Sequence, residues 1–565
     1  MTKRIQIGGS DFGELVRKDL LFVDKTLFIK EILDDLNMVT IITRPRRWGK
    51  TLNLSMLYYF LSAKAYRQET AGLFDALLIA KESGDYIAKY QGKYPVIFIS
   101  LKDVKQTSFE SAARSTALLI QDVYAEHQKI MESELFNQNE RDVFQKTLKI
   151  ELSIEDLSRS LRKLSEWLYR YYNQKVYILI DEYDTPLNFS YNQEYFDHMA
   201  LFMKNFLSAT LKDNPYLEKG VLTGILRISK DSMLSGLNNP KIHTMLEGRY
   251  HQHFGFTDAE VDALFVEQEL TKDEASIKAW YNGYCLNGLT LYNPWSIMNS
   301  LDDGGLIRPY WLNTGDDSLL KKLLQQASSD VKTLFQTLVL GKTIKTWVNP
   351  TMRFDQVNTD KTMLWNLLIS AGYLKALSAT LTIRGVYECE LAIPNREILG
   401  LYQGTFLEWV ISVNQAQEIL ASLILIAEGR VTEFATSIEG FLKMAASIHD
   451  YANKPEAFYH GFMLALSVSL IENYYVFSNH ESGLGRPDLV IIPKDMTQSQ
   501  AVIIEFKIVT DNQTLQQCAE EGLAQIQARD YSSIIRQYNH INTVLQVGMA
   551  FDGKLICCVQ EAHSL

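Results

Sequence analysis

The sequence predicts an α/β protein in three parts: a doubly wound parallel sheet, a helical middle region, and a second α/β domain towards the C-terminal end. Three observations predict it. The first third alternates short β-branched runs with longer helical stretches, and Met38 to Thr43, Val96 to Leu101, Val176 to Ile180 and Val221 to Ile225 are apolar almost throughout. Strands covered on both faces of a parallel sheet read this way, and the segments between them are long enough for helical crossovers. From about Thr257 to Leu425 helical periodicity dominates, and after about Ala457 a mixed pattern returns.

A chain of 565 residues is too long for a single core. The pattern changes place the expected boundaries at 1–256, 257–425 and 426–565. Hydrophobic residues make up 47% and charged residues 22%, the balance of an ordinary globular protein. The net charge of -11 argues against a generally basic nucleic-acid binder, while leaving room for a local basic groove. The five cysteines show no C-x-x-C spacing, which argues against zinc and fits free thiols in a reducing compartment. Met1 to Asp24 has no apolar h-region and no run is long enough to span a bilayer, so the expectation is a cytoplasmic protein without a membrane partner.

The strand ending at Thr43 leads into Arg44-Pro45-Arg46-Arg47-Trp48-Gly49-Lys50-Thr51, and an amphipathic helix is expected over Leu52 to Leu61. Strand, loop and helix in that order turn backbone N–H groups and a helix N-terminus towards phosphates. In such a P-loop, Gly49 belongs to the turn, Lys50 reaches the β- and γ-phosphates of ATP, and the Thr51 hydroxyl ligates Mg²⁺. The strand Val176 to Ile180 exits into Asp181-Glu182, as a Walker B strand does. Asp181 would then hold Mg²⁺ through water, and Glu182 would orient or deprotonate the attacking water. An ordinary buried strand with a solvated acidic exit is the other reading of the same residues.

Arg44 stands where a Walker A loop has its first glycine, and Arg46 and Arg47 crowd the loop with cations. Either these arginines stabilise the triphosphate or they contact another partner such as nucleic acid. Arg227, at the end of Thr223-Gly224-Ile225-Leu226-Arg227, is a further candidate for the γ-phosphate. The region Asp258 to Trp280 reads as an ATPase lid, with a helix-turn-helix as the alternative. Tyr281 to Tyr284 and Tyr292 to Trp295 read as ordered, aromatic-packed connections.

Phe22-Val23-Asp24-Lys25-Thr26, Arg44 to Thr51, Thr223 to Lys230, Ser235 to Asn239, Tyr281 to Tyr284 and Asn293 to Ser296 together resemble a bacterial AAA-ATPase-like family of unknown function. The resemblance covers residues 1 to about 300. It implies a P-loop NTPase fold, makes the arginine-rich loop a family variant, and implies a PD-(D/E)XK domain at the C-terminal end. P-loop ATPases of this type often take an arginine from a neighbour, so a homo-oligomer is expected.

Gly485-Arg486-Pro487-Asp488 opens one apolar run, and Val502-Ile503-Ile504-Glu505-Phe506-Lys507 closes the next. Side chains alternate along a strand, so Glu505 and Lys507 share a face and Phe506 takes the other. If the two runs form a hairpin, Asp488 approaches Glu505. Two carboxylates offer oxygen ligands for Mg²⁺, and a lysine beside them can position or deprotonate a water, or steady a pentacovalent phosphorane. A cross-strand salt bridge on a solvated face is the plain structural alternative. The Asp, then Glu-x-Lys, arrangement resembles the PD-(D/E)XK nuclease superfamily over roughly the last fifth of the chain. That resemblance implies a helix acid, for which Glu456 is the candidate, and a helix glutamine, for which Gln525 is. Arg486 is a candidate phosphate contact.

These readings converge on a nucleotide-regulated, Mg²⁺-dependent nuclease acting on nucleic acid, DNA before RNA. By analogy it would serve in defence against foreign DNA. The rival is a signalling or scaffold ATPase whose nuclease-like domain only binds. A motor that remodels nucleic acid is a third reading.

Overall fold

The computed structural model describes residues 2–191, 193–212, 214–228, 240–247, 249–286, 288–311, 329–339, 341–351, 361–402, 422, 424–426, 428–445, 470, 473–477, 487–509, 513–529, 531, 535–552 and 555–565. The chain forms two compact units: Met1–Leu320 with Thr343–Ile398, and Lys321–Lys342 with Leu399–Leu565. The middle segment 257–425 is thus divided between them. All five cysteines are free thiols, and no described helix is long and apolar enough to cross a membrane.

The first unit is built on five strands: β1 (Val39–Thr43), β2 (Val96–Ser100), β3 (Val176–Asp181), β4 (Leu217–Gly224) and β5 (Lys241–His243). They lie in the order β2-β3-β4-β1-β5, all parallel. Every residue of β1 and β3 is buried, as their unbroken Val/Ile/Leu runs require of strands covered on both faces. The register sets Thr43 beside Gly224, Ile42 beside Thr223 and Ser100 beside Asp181, so these strand ends share one edge. That edge is where a doubly wound sheet presents a ligand crevice.

Helices cover both faces. Lys50–Leu61, which begins at Lys50 rather than at Leu52, is buried almost all round, with Leu54, Leu57, Phe60 and Leu61 inaccessible. Ile154–Tyr172 is one-sided: Leu157, Leu161, Leu164, Trp167 and Leu168 face inwards. Its start is capped by Ser153, whose hydroxyl accepts from Asp156 N at 3.1 Å, and its end turns at left-handed Asn173.

The middle residues of this unit are helical, with β-structure as well. Asp258–Glu267 opens with a capping box between Thr257 and Glu260, and Glu274–Tyr281 follows from the cap Asp273. The patch at Tyr281 to Tyr284 leads into a hairpin, β6 (Tyr284–Leu286) and β7 (Leu289–Leu291). Pro294–Asp302 starts from the cap Asn293 with proline in its first turn. Val261, Leu264, Ile277, Tyr281, Tyr292 and Ile297 pack into one cluster that includes Leu21 from the N-terminal segment. Beyond it, β8 (Ile344–Val348), β9 (Lys375–Leu381) and β10 (Tyr387–Ala392) form an antiparallel sheet in the order β8-β10-β9. The expectation of a helical segment missed these strands.

The second unit carries β11 (Tyr474–Phe477), β12 (Leu489–Pro493), β13 (Gln500–Ile508), β14 (Thr543–Asp552) and β15 (Leu555–Ser564), in that order. Pairing is antiparallel except between β13 and β14, which run parallel and are joined across the helix Leu515–Arg529. One face buries Leu489, Ile491, Ile504, Phe506 and Val547 against Phe434 and Ile438 of the helix Val431–Ala445. The opposite face buries Val490, Ile492, Ile503 and Val544 with Ile526 and Tyr531.

Candidate active sites

In the first unit the loop after β1 leads into the helix Lys50–Leu61 through Gly49, which holds a left-handed φ of 77°. Glycine adopts that conformation without strain and lets the helix begin at once on Lys50. Lys50 is 4% exposed; its Nζ donates to Pro45 O at 3.0 Å and lies 3.2 Å from Glu182 Oε1. Asp181 is fully buried and receives three hydroxyls. Thr51 Oγ1 donates to its Oδ2 at 2.7 Å, Ser100 Oγ to Oδ2 at 3.2 Å, and Thr223 Oγ1 to Oδ1 at 2.6 Å. Burial raises the pKa of Asp181, and the neighbouring Glu182 carboxylate raises it further.

A second acid, Asp184, went unnoticed in the sequence. It is fully buried, accepts from Ile225 N at 3.1 Å and Leu226 N at 2.8 Å, and so fixes the chain leaving β4. Burial and then Glu182 push its pKa up to about 6. Gly224 is what lets it in: a Cβ there would stand 2.5 Å from Asp184 Oδ1.

The arginines divide. Arg44 is fully buried and donates to Thr43 O at 2.8 Å, His243 O at 3.2 Å, Thr244 O at 3.0 Å and Arg249 O at 3.0 Å. Burial pulls its pKa down to about 9. It ties the loop to the chain following β5 in place of a glycine turn. Arg47 lies over the Trp295 ring, 4.0 Å from its centre, and Arg46 offers its carbonyl to Trp311 Nε1 at 3.4 Å. Arg227 pairs with Glu247 at 2.7 Å, and Glu247 also accepts from Tyr387 OH.

A cavity of about 670 Å³ opens over this edge, lined by Arg46, Arg47, Gly49, Lys50, Thr51 and Glu182 among others. Its apolar wall includes Phe22, Met56, Phe256 and Met298, and the adjoining helix end adds Trp295. Arg227 is not part of the lining. The volume lies in the range of small-molecule sites.

In the second unit β12 and β13 pair with Leu489 opposite Ile504, which brings Asp488 to the end of β13. Phe506 N donates to Asp488 Oδ2 at 2.8 Å. Glu505 and Lys507 point towards the helix Leu515–Arg529 while Phe506 enters the opposite core. That helix lies hard against the sheet because Gly522 meets Gly548 of β14: a Cβ at Gly522 would stand 3.2 Å from Gly548 Cα. One turn on, Gln525 Oε1 accepts from Lys507 Nζ at 2.7 Å, and its Nε2 donates to Glu505 Oε1. Arg529 donates to Tyr531 OH at 3.3 Å beside them.

Glu505 is 4% exposed, and its Oε2 has no hydrogen-bond partner among the described residues. Burial, then the Asp488 carboxylate, pushes its pKa up to about 7, against the pull of Lys507. A buried carboxylate oxygen without a donor is costly, and a divalent cation would satisfy it. Asp488 and Glu505 therefore fit an oxygen-ligated cation. Among the described residues no three His, Cys, Asp or Glu side chains gather as a metal-binding group. Glu456, the expected third acid, lies outside the described residues, as does Arg486.

Comparison with known proteins places a class on each end. Residues 6–234 match the model of a predicted AAA-ATPase family, and residues 454–561 match that of the PD-(D/E)XK nuclease superfamily. The chain is also similar to an uncharacterized protein from the vnfD 5' region of Azotobacter chroococcum mcd 1. The two are 25% identical over 535 residues, covering 92% of this chain and 93% of that protein. No solved structure matches.

Proposed function

We propose that this chain is a nucleotide-regulated, Mg²⁺-dependent nuclease that hydrolyses phosphodiester bonds, with DNA as the substrate tested first. The observation that carries the reading is Glu505: a buried carboxylate with one oxygen unpartnered, set beside Asp488 and in line with Lys507. Asp488 and Glu505 would hold the cation, which lowers the pKa of a water and neutralises charge on the phosphate. Lys507, steered by Gln525, is placed to orient that water or to meet the charge on the pentacovalent phosphorus.

In the first unit, Gly49, Lys50 and Thr51 would take the phosphates of ATP, with Arg46 and Arg47 at the mouth. Asp181 and Thr51 would hold Mg²⁺, and Glu182 would orient the attacking water. Nucleotide occupancy would then govern cutting. A cytoplasmic setting and a homo-oligomer belong to the same reading, and so, by analogy, does a defence role against foreign DNA.

The test is cleavage of plasmid DNA and of RNA by the full chain with Mg²⁺, with and without ATP, alongside Asp488→Ala and Lys507→Ala. Loss of cleavage in both variants supports the site, and cleavage that persists in both sinks it. Absence of cleavage by the wild type under every nucleotide condition favours a binding or signalling ATPase.

A further inference from the structure

We propose that Lys102 and Lys105 are the cations that meet the γ-phosphate of bound ATP, supplied within the chain rather than by a neighbouring subunit. The proposal rests on the reading of the P-loop cavity as the nucleotide site. Both lysines line that cavity with Lys50, Thr51 and Glu182. Their position follows from the sheet. They come just after β2, the strand beside β3, with Ser100 paired to Asp181 and Leu101 N donating to Asp181 O at 2.9 Å. Neighbouring strands lie about 4.8 Å apart, a gap that the four-carbon stem of a lysine spans.

The turn that carries them is held firmly. Leu101 is inaccessible and Val104 is 2% exposed, and Val104 N donates to Leu101 O at 3.1 Å. Leu101 and Val104 flank the exposed Lys102 and Asp103, and the exposed Lys105 follows Val104 directly, so the two lysines stand on either side of a buried anchor. Among the described residues neither lysine side chain makes an ion pair or a hydrogen bond. Other cations of the cavity are engaged: Lys25 by Gln252 O and Glu260, Lys50 by Pro45 O and Glu182, Arg47 by Trp295. Arg227, the residue that the sequence offered for this role, is held by Glu247.

The chemistry asks for such groups on this side. In hydrolysis the water oxygen bonds to the γ-phosphorus, and the bond from that phosphorus to the bridging oxygen breaks, its electron pair leaving with ADP. The water's proton passes to Glu182. Charge spreads over the γ-phosphoryl oxygens, which Lys50 meets from the loop, and further cations on the side of β2 would lower the barrier.

The full chain, the Lys102→Ala/Lys105→Ala double variant, and matching double changes to arginine and to glutamine are compared in two assays. One measures binding of a non-hydrolysable ATP analogue against ADP; the other measures ATP turnover with Mg²⁺. The double alanine variant is expected to bind ADP as the wild type does and to melt at the same temperature. It should lose its preference for the triphosphate by about tenfold or more. Its kcat should fall by about 100-fold, with arginine rescuing and glutamine not. An unchanged preference and an unchanged kcat overturn the proposal while leaving the nucleotide site intact. Turnover restored by mixing the double variant with a Lys50→Ala chain also overturns it, because the cation would then act between chains. A wild type that binds neither nucleotide sinks the nucleotide site and this proposal together.

Discussion

Gly548 and Ala519 are in such close contact that a Cβ on Gly548 would overlap the carbonyl oxygen of Ala519. The contact sets the helix Leu515–Arg529 on β14, and through it the reach of Gln525 to Glu505 and Lys507. Gly548→Ala is therefore expected to destabilise the second unit by about 1–3 kcal/mol, the usual cost of overpacking. Chemical denaturation measures this, and cleavage should fall with it as Gln525 moves. A variant as stable as the wild type would show that the helix can ride outwards freely.

Glu505 gives the pH dependence. Its folded pKa, about 7, lies above the usual 4.5 of a glutamate, so the folded state holds a proton that the unfolded chain has released in between. The contribution of Glu505 to the stability of the metal-free second unit should accordingly be full below pH 4.5 and be lost as pH rises to about 7. Cation binding needs the carboxylate, so Mg²⁺ affinity should climb over the same window and release a proton. Calorimetric titration in two buffers of different ionisation enthalpy reads that proton, and Glu505→Gln should abolish it. Affinity that is flat across the window would remove Glu505 from the site.

Arg44 yields a stability prediction. Removing a buried cation that four backbone carbonyls surround leaves those carbonyls unpaired. Arg44→Ala should destabilise the first unit by about 3–5 kcal/mol. Arg44→Gly, which restores the usual loop residue, should do no better. A thermal melt distinguishes this from a phosphate-binding role, which would weaken nucleotide binding and leave the melt unchanged.

Glu182 separates binding from turnover. Glu182→Gln keeps the shape of the cavity and releases Lys50 from its ion pair. It should bind ATP at least as tightly as the wild type and hydrolyse it about 100-fold more slowly or less. Nucleotide titration and phosphate release measure the two, and wild-type turnover would exclude Glu182 as the water's partner.

Much of this was legible in the sequence for physical reasons. Runs such as Val-Tyr-Ile-Leu-Ile before Asp181 have few ways to bury both faces, so β3 and its acidic exit stood out. Strand alternation alone put Glu505 and Lys507 together and turned Phe506 away. The strands of the middle region were harder to see. In β10 the buried Tyr387, Cys389 and Leu391 do alternate with Glu388 and Glu390, but the run is short and β9 is largely exposed. Asp184 was invisible in the sequence, because its role is to accept backbone donors from the segment leaving β4, distant along the chain. Arg44 misled for a related reason: sequence marks a cation, and only packing reveals that carbonyls, not phosphates, surround it.

The hydroxyls on Asp181 come from three elements: the end of β2, the first turn of the helix Lys50–Leu61, and the end of β4. A single carboxylate therefore serves as a rivet joining two strands of one sheet to the helix that covers it. Thr51 and Ser100 share Oδ2 while Thr223 holds Oδ1 of the same carboxylate, so the effects of Thr51→Val, Ser100→Ala and Thr223→Val will not add. Double-mutant cycles among the three should show coupling that vanishes once Asp181 itself is changed. Distant parts of the sequence thereby sense one another's position through two oxygen atoms.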